Sequence, residues 1–175
     1  MLIQDGACSV IKQLFHETTS NFNGKYYQLR DASLEPKPVQ QPLPLLIGGG
    51  GEKVTLKITA KHADAWNVWG DPSILAAKGA ILDQHCNDLG RDPNSIHRTA
   101  VALLFMSDDS AYLDKMRAAK LAQPHIIGTP DEVRDLVAQY AAAGVSELIV
   151  PDFTLGAMPD KIATLDRFIT QVAGR

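Results

Sequence analysis

Ile47-Gly48-Gly49-Gly50-Gly51-Glu52-Lys53 has the clearest capacity for chemistry in the chain. Four successive glycines let the backbone approach an anion closely and take positive φ where a turn demands it. A helix starting directly after them would add the free N–H groups of its first turn, which together make a phosphate site. The same residues also suit a plain flexible turn. Two common phosphate signatures do not fit. A Walker loop ends in Gly-Lys-Ser/Thr, whereas Lys53 lies between Glu52 and Val54. The dinucleotide fingerprint needs a third glycine at a fixed spacing, which falls at Glu52 or beyond.

Other polar clusters point to structure. Ser107-Asp108-Asp109-Ser110 offers two carboxylates, but adjacent residues point apart, so helix capping is the better reading than acid–base work. Thr129-Pro130-Asp131-Glu132 has the threonine, proline and glutamate of a capping box. Gly144 then supplies a left-handed helix end. The five histidines lie far apart and none has ligand spacing to another His or Cys, so no metal site is expected.

The elements that must position the glycine loop follow from periodicity. Residues 7 to 20 carry Val10, Ile11, Leu14 and Phe15 at helical spacing. Gly24 to Leu29 reads as a small strand or an extended piece, and the proline-rich run from Glu35 to Pro44 as an extended connector. Strands are expected at Leu45 to Ile47, Ala65 to Val68, His97 to Met106 and Glu147 to Pro151. Helices are expected at Ile74 to Leu89, Ala111 to Leu121, Glu132 to Ala143 and Lys161 to Val172. This alternation means a parallel sheet with helices outside. Val54 to Ala60 alternates like a strand, yet Val54, Ile58 and Lys61 share one helical face.

With 175 residues and 45% hydrophobic content, the chain can bury one sizeable core. A net charge of −3 without a basic stripe argues against nucleic acid as a partner. No apolar run approaches the roughly 20 residues of a membrane helix, and the N-terminus has no signal-peptide pattern. Cys8 and Cys86 are isolated, which suits a reducing cytoplasm.

Taken in order, Phe22-Asn23-Gly24-Lys25-Tyr26-Tyr27, Pro36-Lys37-Pro38-Val39-Gln40, Pro42 to Lys53 and Ala63-Asp64-Ala65-Trp66-Asn67 resemble the luciferase-like monooxygenase superfamily. Within it they are most similar to the deazaflavin-dependent oxidoreductases. Gly90-Arg91-Asp92-Pro93 and Gly128 to Val133 fit the same pattern. The resemblance covers nearly the whole chain but only the C-terminal part of that family's (β/α)8 barrel.

It implies that the loop after the fifth barrel strand, here Gly48, Gly49, Gly50 and Gly51, grips a cofactor phosphate, and that Val54 to Ala60 is a helix. Lys53 would assist with a charge and Thr55 with a hydroxyl. Trp66 would wall a planar ring or pack in the core, and Asn67 would hydrogen-bond cofactor or substrate. Trp69, on the face of Asn67, would line the entrance. Asp64 reads as a turn residue and His62 as a surface or hinge histidine.

The expected fold is therefore α/β, the C-terminal half of a TIM barrel with about four parallel strands and outer helices. It forms a single partial-barrel domain, with helix and connector over 1–44 and βα units over 45–175. A complete barrel takes roughly 250 residues. The family's ring contacts lie in the first four units, so no catalytic residue is nominated. The expected function is a cofactor-phosphate clamp for hydride transfer by deazaflavin (coenzyme F-420). Alternatives are an FMN-dependent monooxygenase fragment, a sugar-phosphate-binding half-barrel, and a non-catalytic remnant that folds and self-associates. An open half-barrel leaves two strand edges and an uncovered inner face. A homodimer using that face, or pairing with an N-terminal half, is expected.

Overall fold

The computed structural model describes residues 3–174. In chain order the elements are helix α1 (Ile3–His16), strands β1 (Ser20–Asn23), β2 (Gln28–Ala32) and β3 (Leu46–Gly48), helix α2 (Thr55–His62), strand β4 (Ala65–Trp69) and helix α3 (Pro72–Asp88). They continue with strands β5 (His97–Val101) and β6 (Leu103–Met106), helix α4 (Ser110–Ala118), strand β7 (His125–Gly128), helix α5 (Pro130–Ala142), strand β8 (Glu147–Ile149) and helix α6 (Met158–Arg167). Strands β3, β4, β5 and β8 form, in that order, a four-stranded sheet. Strand β5 runs parallel to β8, with Thr99 opposite Glu147 and Val101 opposite Ile149. This is the α/β architecture expected. The chain groups into two compact units, one of residues through Trp66 with Leu82–His97, the other of Asn67–Ile81 with Arg98 onward.

In the first unit, α1 begins at Ile3 and stops at His16, earlier at both ends than its apolar stripe suggested. It stops because Ser20–Asn23 is taken into an antiparallel hairpin with Gln28–Ala32. The strand expected over Gly24 to Leu29 is thus mostly the hairpin's turn. Positions 33–45 carry no helix or strand, as the prolines require. Cys8, Ile47, Ile58 and Ala63 pack together with Leu45 against them, so α1, β3 and α2 share one apolar centre. The expected helix forms over Thr55–His62 with Val54 at its cap, and the strand-like alternation gives way to burial of Leu56, Ile58, Thr59 and Ala60. Arg91 donates to the carbonyls of Ala60 (3.0 Å) and Ala63 (2.7 Å), satisfying carbonyls at the end of α2. Asp64 is a turn residue, accepting from the Leu45 N–H at 2.8 Å.

In the second unit, the single strand expected over His97 to Met106 is broken at Ala102. The Ala102 N–H still bonds to Ile149 O, whereas the Leu103 N–H turns to Pro124 O. The chain thereby exchanges β8 for β7, a strand that periodicity did not reveal. Strand β6 pairs with β7 in parallel from Leu103/His125 to Met106/Gly128. All four residues of β6 are buried. Leu103, Phe105, Leu113 and Ile127 form this unit's apolar cluster. The capping box at Thr129 and Glu132 is fully formed, and the Asp109 carboxylate caps α4 through the N–H groups of Ala111 and Tyr112. Gly144 takes φ +87° at the end of α5.

One polar knot in the first unit departs from expectation. His62 is buried, not a surface residue, and its Nε2 donates to Asp5 Oδ1 at 2.6 Å. Lys61 Nζ donates to the same oxygen at 2.8 Å, so one carboxylate ties α1 to α2. These donors, Lys61 first, hold the Asp5 carboxyl below its ordinary range. A folded-state value below the unfolded one stabilises at pH above the ordinary carboxylate value, and that stability is lost as pH falls through the lowered one. Asp5→Asn should cost about 1–3 kcal/mol at neutral pH, because His62 loses its charged partner while buried. Urea unfolding at pH 7 and pH 3 checks this. The gap between wild type and variant should narrow sharply at pH 3, and an equal gap at both values would refute the assignment.

Candidate functional site

The site is built where β3 ends. Ile47 is buried and fixes the strand, after which Gly48, Gly49 and Gly51 are solvent-exposed and Gly50 is half-buried. Gly49 takes φ +117°, a conformation side chains rarely tolerate. A Cβ at Gly51 would stand 2.9 Å from Thr55 Oγ1, so only glycine lets the loop fold onto the first turn of α2. The turn is closed by the Leu56 N–H bonding to Gly51 O at 2.9 Å.

Val54 occupies the cap position of α2 and offers no side-chain acceptor. The first turn therefore lacks the carboxylate or hydroxyl cap that usually satisfies such a terminus. The positive end of the helix is left facing an exposed glycine backbone, the arrangement that favours an anion. Lys53 and Lys57 are exposed beside it, Thr55 supplies a hydroxyl, and Glu52 is the one opposing charge in the loop. The donor chemistry and the open cradle fit a phosphate group.

Two side chains hold the loop from behind. Trp66 is 2% exposed, and its Nε1–H donates to Gly49 O at 2.8 Å. Its indole is buried, which matches the core-packing alternative, and its one donor holds the loop. His85, on α3, donates from Nε2 to Glu52 O at 3.0 Å. Sequence reasoning missed His85 because it lies 33 residues from its partner and belongs to no local motif.

The structure thus brings together Gly48, Gly49, Gly50, Gly51, Thr55 and Trp66, with Lys53 on the same exposed turn. In the second unit, Asn67 Nδ2 donates to Thr99 Oγ1 at 2.6 Å, a bond between neighbouring strands of the sheet. Trp69 ends β4 on the face of Asn67 and is 40% exposed. Among the described residues no cluster of His, Cys, Asp or Glu could hold a metal ion. No helix among the described residues is long and apolar enough to cross a membrane.

Solved structures share this fold. The coenzyme F-420-dependent tetrahydromethanopterin reductase from Methanopyrus kandleri superposes with a TM-score of 0.74 at 17% identity, over 94% of this chain and 60% of that one. The monooxygenase RslO1 from Streptomyces bottropensis gives 0.78 at 13% identity, over 97% and 60%. A long-chain alkane monooxygenase gives 0.73 at 13% identity, over 98% and 56%. The chain thus spans less than two thirds of each neighbour. A family model described as luciferase-like monooxygenase matches residues 7–123, more than half of the chain. The chain belongs to the luciferase-like monooxygenase family.

Proposed function

We propose that the loop Gly48–Gly51 clamps the phosphate of a deazaflavin, coenzyme F-420, in a luciferase-like oxidoreductase. One observation carries this reading: an exposed glycine backbone opens an uncapped helix, with the Thr55 hydroxyl directly beneath Gly51. When bound, the cofactor supplies hydride chemistry, and the protein contributes binding and orientation. Backbone N–H groups of Gly49 to Gly51 hold the phosphate oxygens. Thr55 donates its hydroxyl and Lys53 neutralises charge. Trp66 and His85 keep the loop's carbonyls turned away from the anion, because each occupies one as a hydrogen-bond donor. FMN with monooxygenase chemistry is the second reading. It is favoured by the monooxygenases among the structural neighbours and by a clamp that touches only the phosphate end.

Titration of the 175-residue chain with coenzyme F-420 and with FMN, followed by absorbance, tests the proposal. Gly51→Val should abolish binding of both while circular dichroism stays unchanged. Undiminished binding in that variant overturns the clamp. Tighter FMN than F-420 binding selects the second reading. Because the clamp holds only the phosphate end, the isolated chain should show no turnover with either cofactor. Activity above a Lys53→Ala control would place the reaction centre within these residues.

Trp66→Phe removes one N–H and keeps most of the buried ring. Affinity for the phosphate-bearing ligand should fall about tenfold, or roughly 1.4 kcal/mol. Amide hydrogen exchange across Gly49 to Gly51 should accelerate. Unaltered exchange and affinity would show that the loop does not depend on this bond.

A further inference from the structure

Helix α2 exposes lysine and nothing else. Between Thr55 and His62 the only exposed residues are Lys57 and Lys61, and Lys53 is exposed on the turn that enters the helix. Lys61 is accounted for. It lies in the last turn, where the helix dipole favours a cation, and it binds Asp5 at 2.8 Å. Lys53 and Lys57 have neither advantage. They stand at the dipole-positive end, no acidic residue occupies the first turn, and among the described residues neither has a carboxylate partner. The contrast with α5 is direct. Its third helical position is Glu132, which reaches back to the cap, whereas the third position of α2 is Lys57. Lys57 and Lys61 are also like charges four residues apart, a spacing at which they repel. The free chain thus holds unneutralised cations where its own backbone disfavours them, next to a loop whose exposed glycines suit an anion.

We infer, taking Gly48–Gly51 as the phosphate clamp proposed above, that Lys57 is a second anion subsite, which reads carboxylates that the ligand carries beyond its phosphate. FMN ends at its phosphate and offers Lys57 nothing further. In coenzyme F-420 the phosphate is a diester. It keeps one negative charge, and beyond it run a lactyl group and a chain of glutamates that add further carboxylates. A chain leaving the clamp along α2 meets only Lys57 and Lys61, because Leu56, Ile58, Thr59 and Ala60 are buried. Asp5 already occupies Lys61, so Lys57 is the first available cation on that path. Lys53 stays with the phosphate. A carboxylate docked on Lys57 also supplies the negative charge that the first turn of the helix lacks. Lys57 therefore distinguishes two cofactors that the glycine loop would treat alike.

Fluorescence titration of the 175-residue chain with whole coenzyme F-420, and with the same deazaflavin cut back to a terminal phosphate, tests this. The two probes share the ring and differ beyond the phosphate. The whole coenzyme should bind about fivefold more tightly, the worth of one good exposed ion pair. Lys57→Ala should erase that ratio and leave affinity for the truncated form unchanged. Lys25→Ala, which removes the same charge from the turn between β1 and β2, should keep it. Lys57 is exposed and alanine is a strong helix former, so the variant should unfold in urea no earlier than wild type. Should it misfold, salt decides on the wild type: the preference should shrink in about 0.5 M sodium chloride, because exposed charges are screened. A preference indifferent to salt overturns the inference. Equal affinity for the two forms overturns it too, and leaves the clamp standing. So does a Lys57→Ala variant that weakens both forms alike, which would put Lys57 on the phosphate, and so does an equal loss in Lys25→Ala, which would make net charge the cause. Binding of neither form by wild type means that the clamp itself fails, and the subsite with it.

Discussion

The hydrogen bond from Trp66 Nε1 to Gly49 O joins the two demands this structure must reconcile. An anion-binding loop has to expose its backbone, and exposed glycine backbone is entropically the most costly to hold still. Fixing it with its own side chains is impossible, since glycine has none. The chain instead places a buried aromatic on the adjacent strand β4, with its one polar atom aimed at the one loop residue of clearly positive φ. The enclosed ring gives the anchor its rigidity, and the bond spends the indole donor that burial would otherwise leave unsatisfied. His85 does the same for the Glu52 carbonyl from α3. The candidate site is thus a loop whose backbone is held by side chains distant in sequence.

This division explains what was legible in the sequence. The glycine loop, the capping box at Thr129 and the cap at Asp109 are local signals, in which a few adjacent residues determine the backbone. The two caps form as read, and the glycine run lies between β3 and α2. The apolar stretches that became β3, β4 and α3 were visible for the same reason, with ends displaced by a residue or two. The longer run from His97 to Met106 was legible as extended chain but not as two strands. Its break at Ala102 depends on which neighbour each half finds, β8 or β7, and partner choice leaves no mark in a period-two pattern. Strand β7 was missed because its two apolar residues, Ile126 and Ile127, are adjacent and show no alternation, between Pro124 and the turn and cap signals at Gly128–Pro130.

The site divides along the same line. Gly48 to Gly51 announce themselves, whereas the roles of Trp66 and His85 come from contacts 17 and 33 residues away. Sequence alternation could say only that Trp66 and Asn67 face opposite ways. Which face is closed is a property of the packed sheet. His62 makes the point in reverse: its neighbours in sequence suggested a surface, while Asp5, 57 residues away, brings it inside.

What the fold leaves open is set by the same physics. The proposed phosphate clamp would recognise a group common to deazaflavin and flavin, so by itself it would select neither. The ring, where hydride chemistry and oxygen chemistry part, must be chosen by other side chains. Helix α6 shows a similar separation of tasks. Its polar side satisfies Asp152 and Asp108, which fixes its place on the unit with ion pairs that the surrounding water weakens. The π turn that continues it buries Val172, so apolar packing fixes the end of the segment where the ion pairs stop.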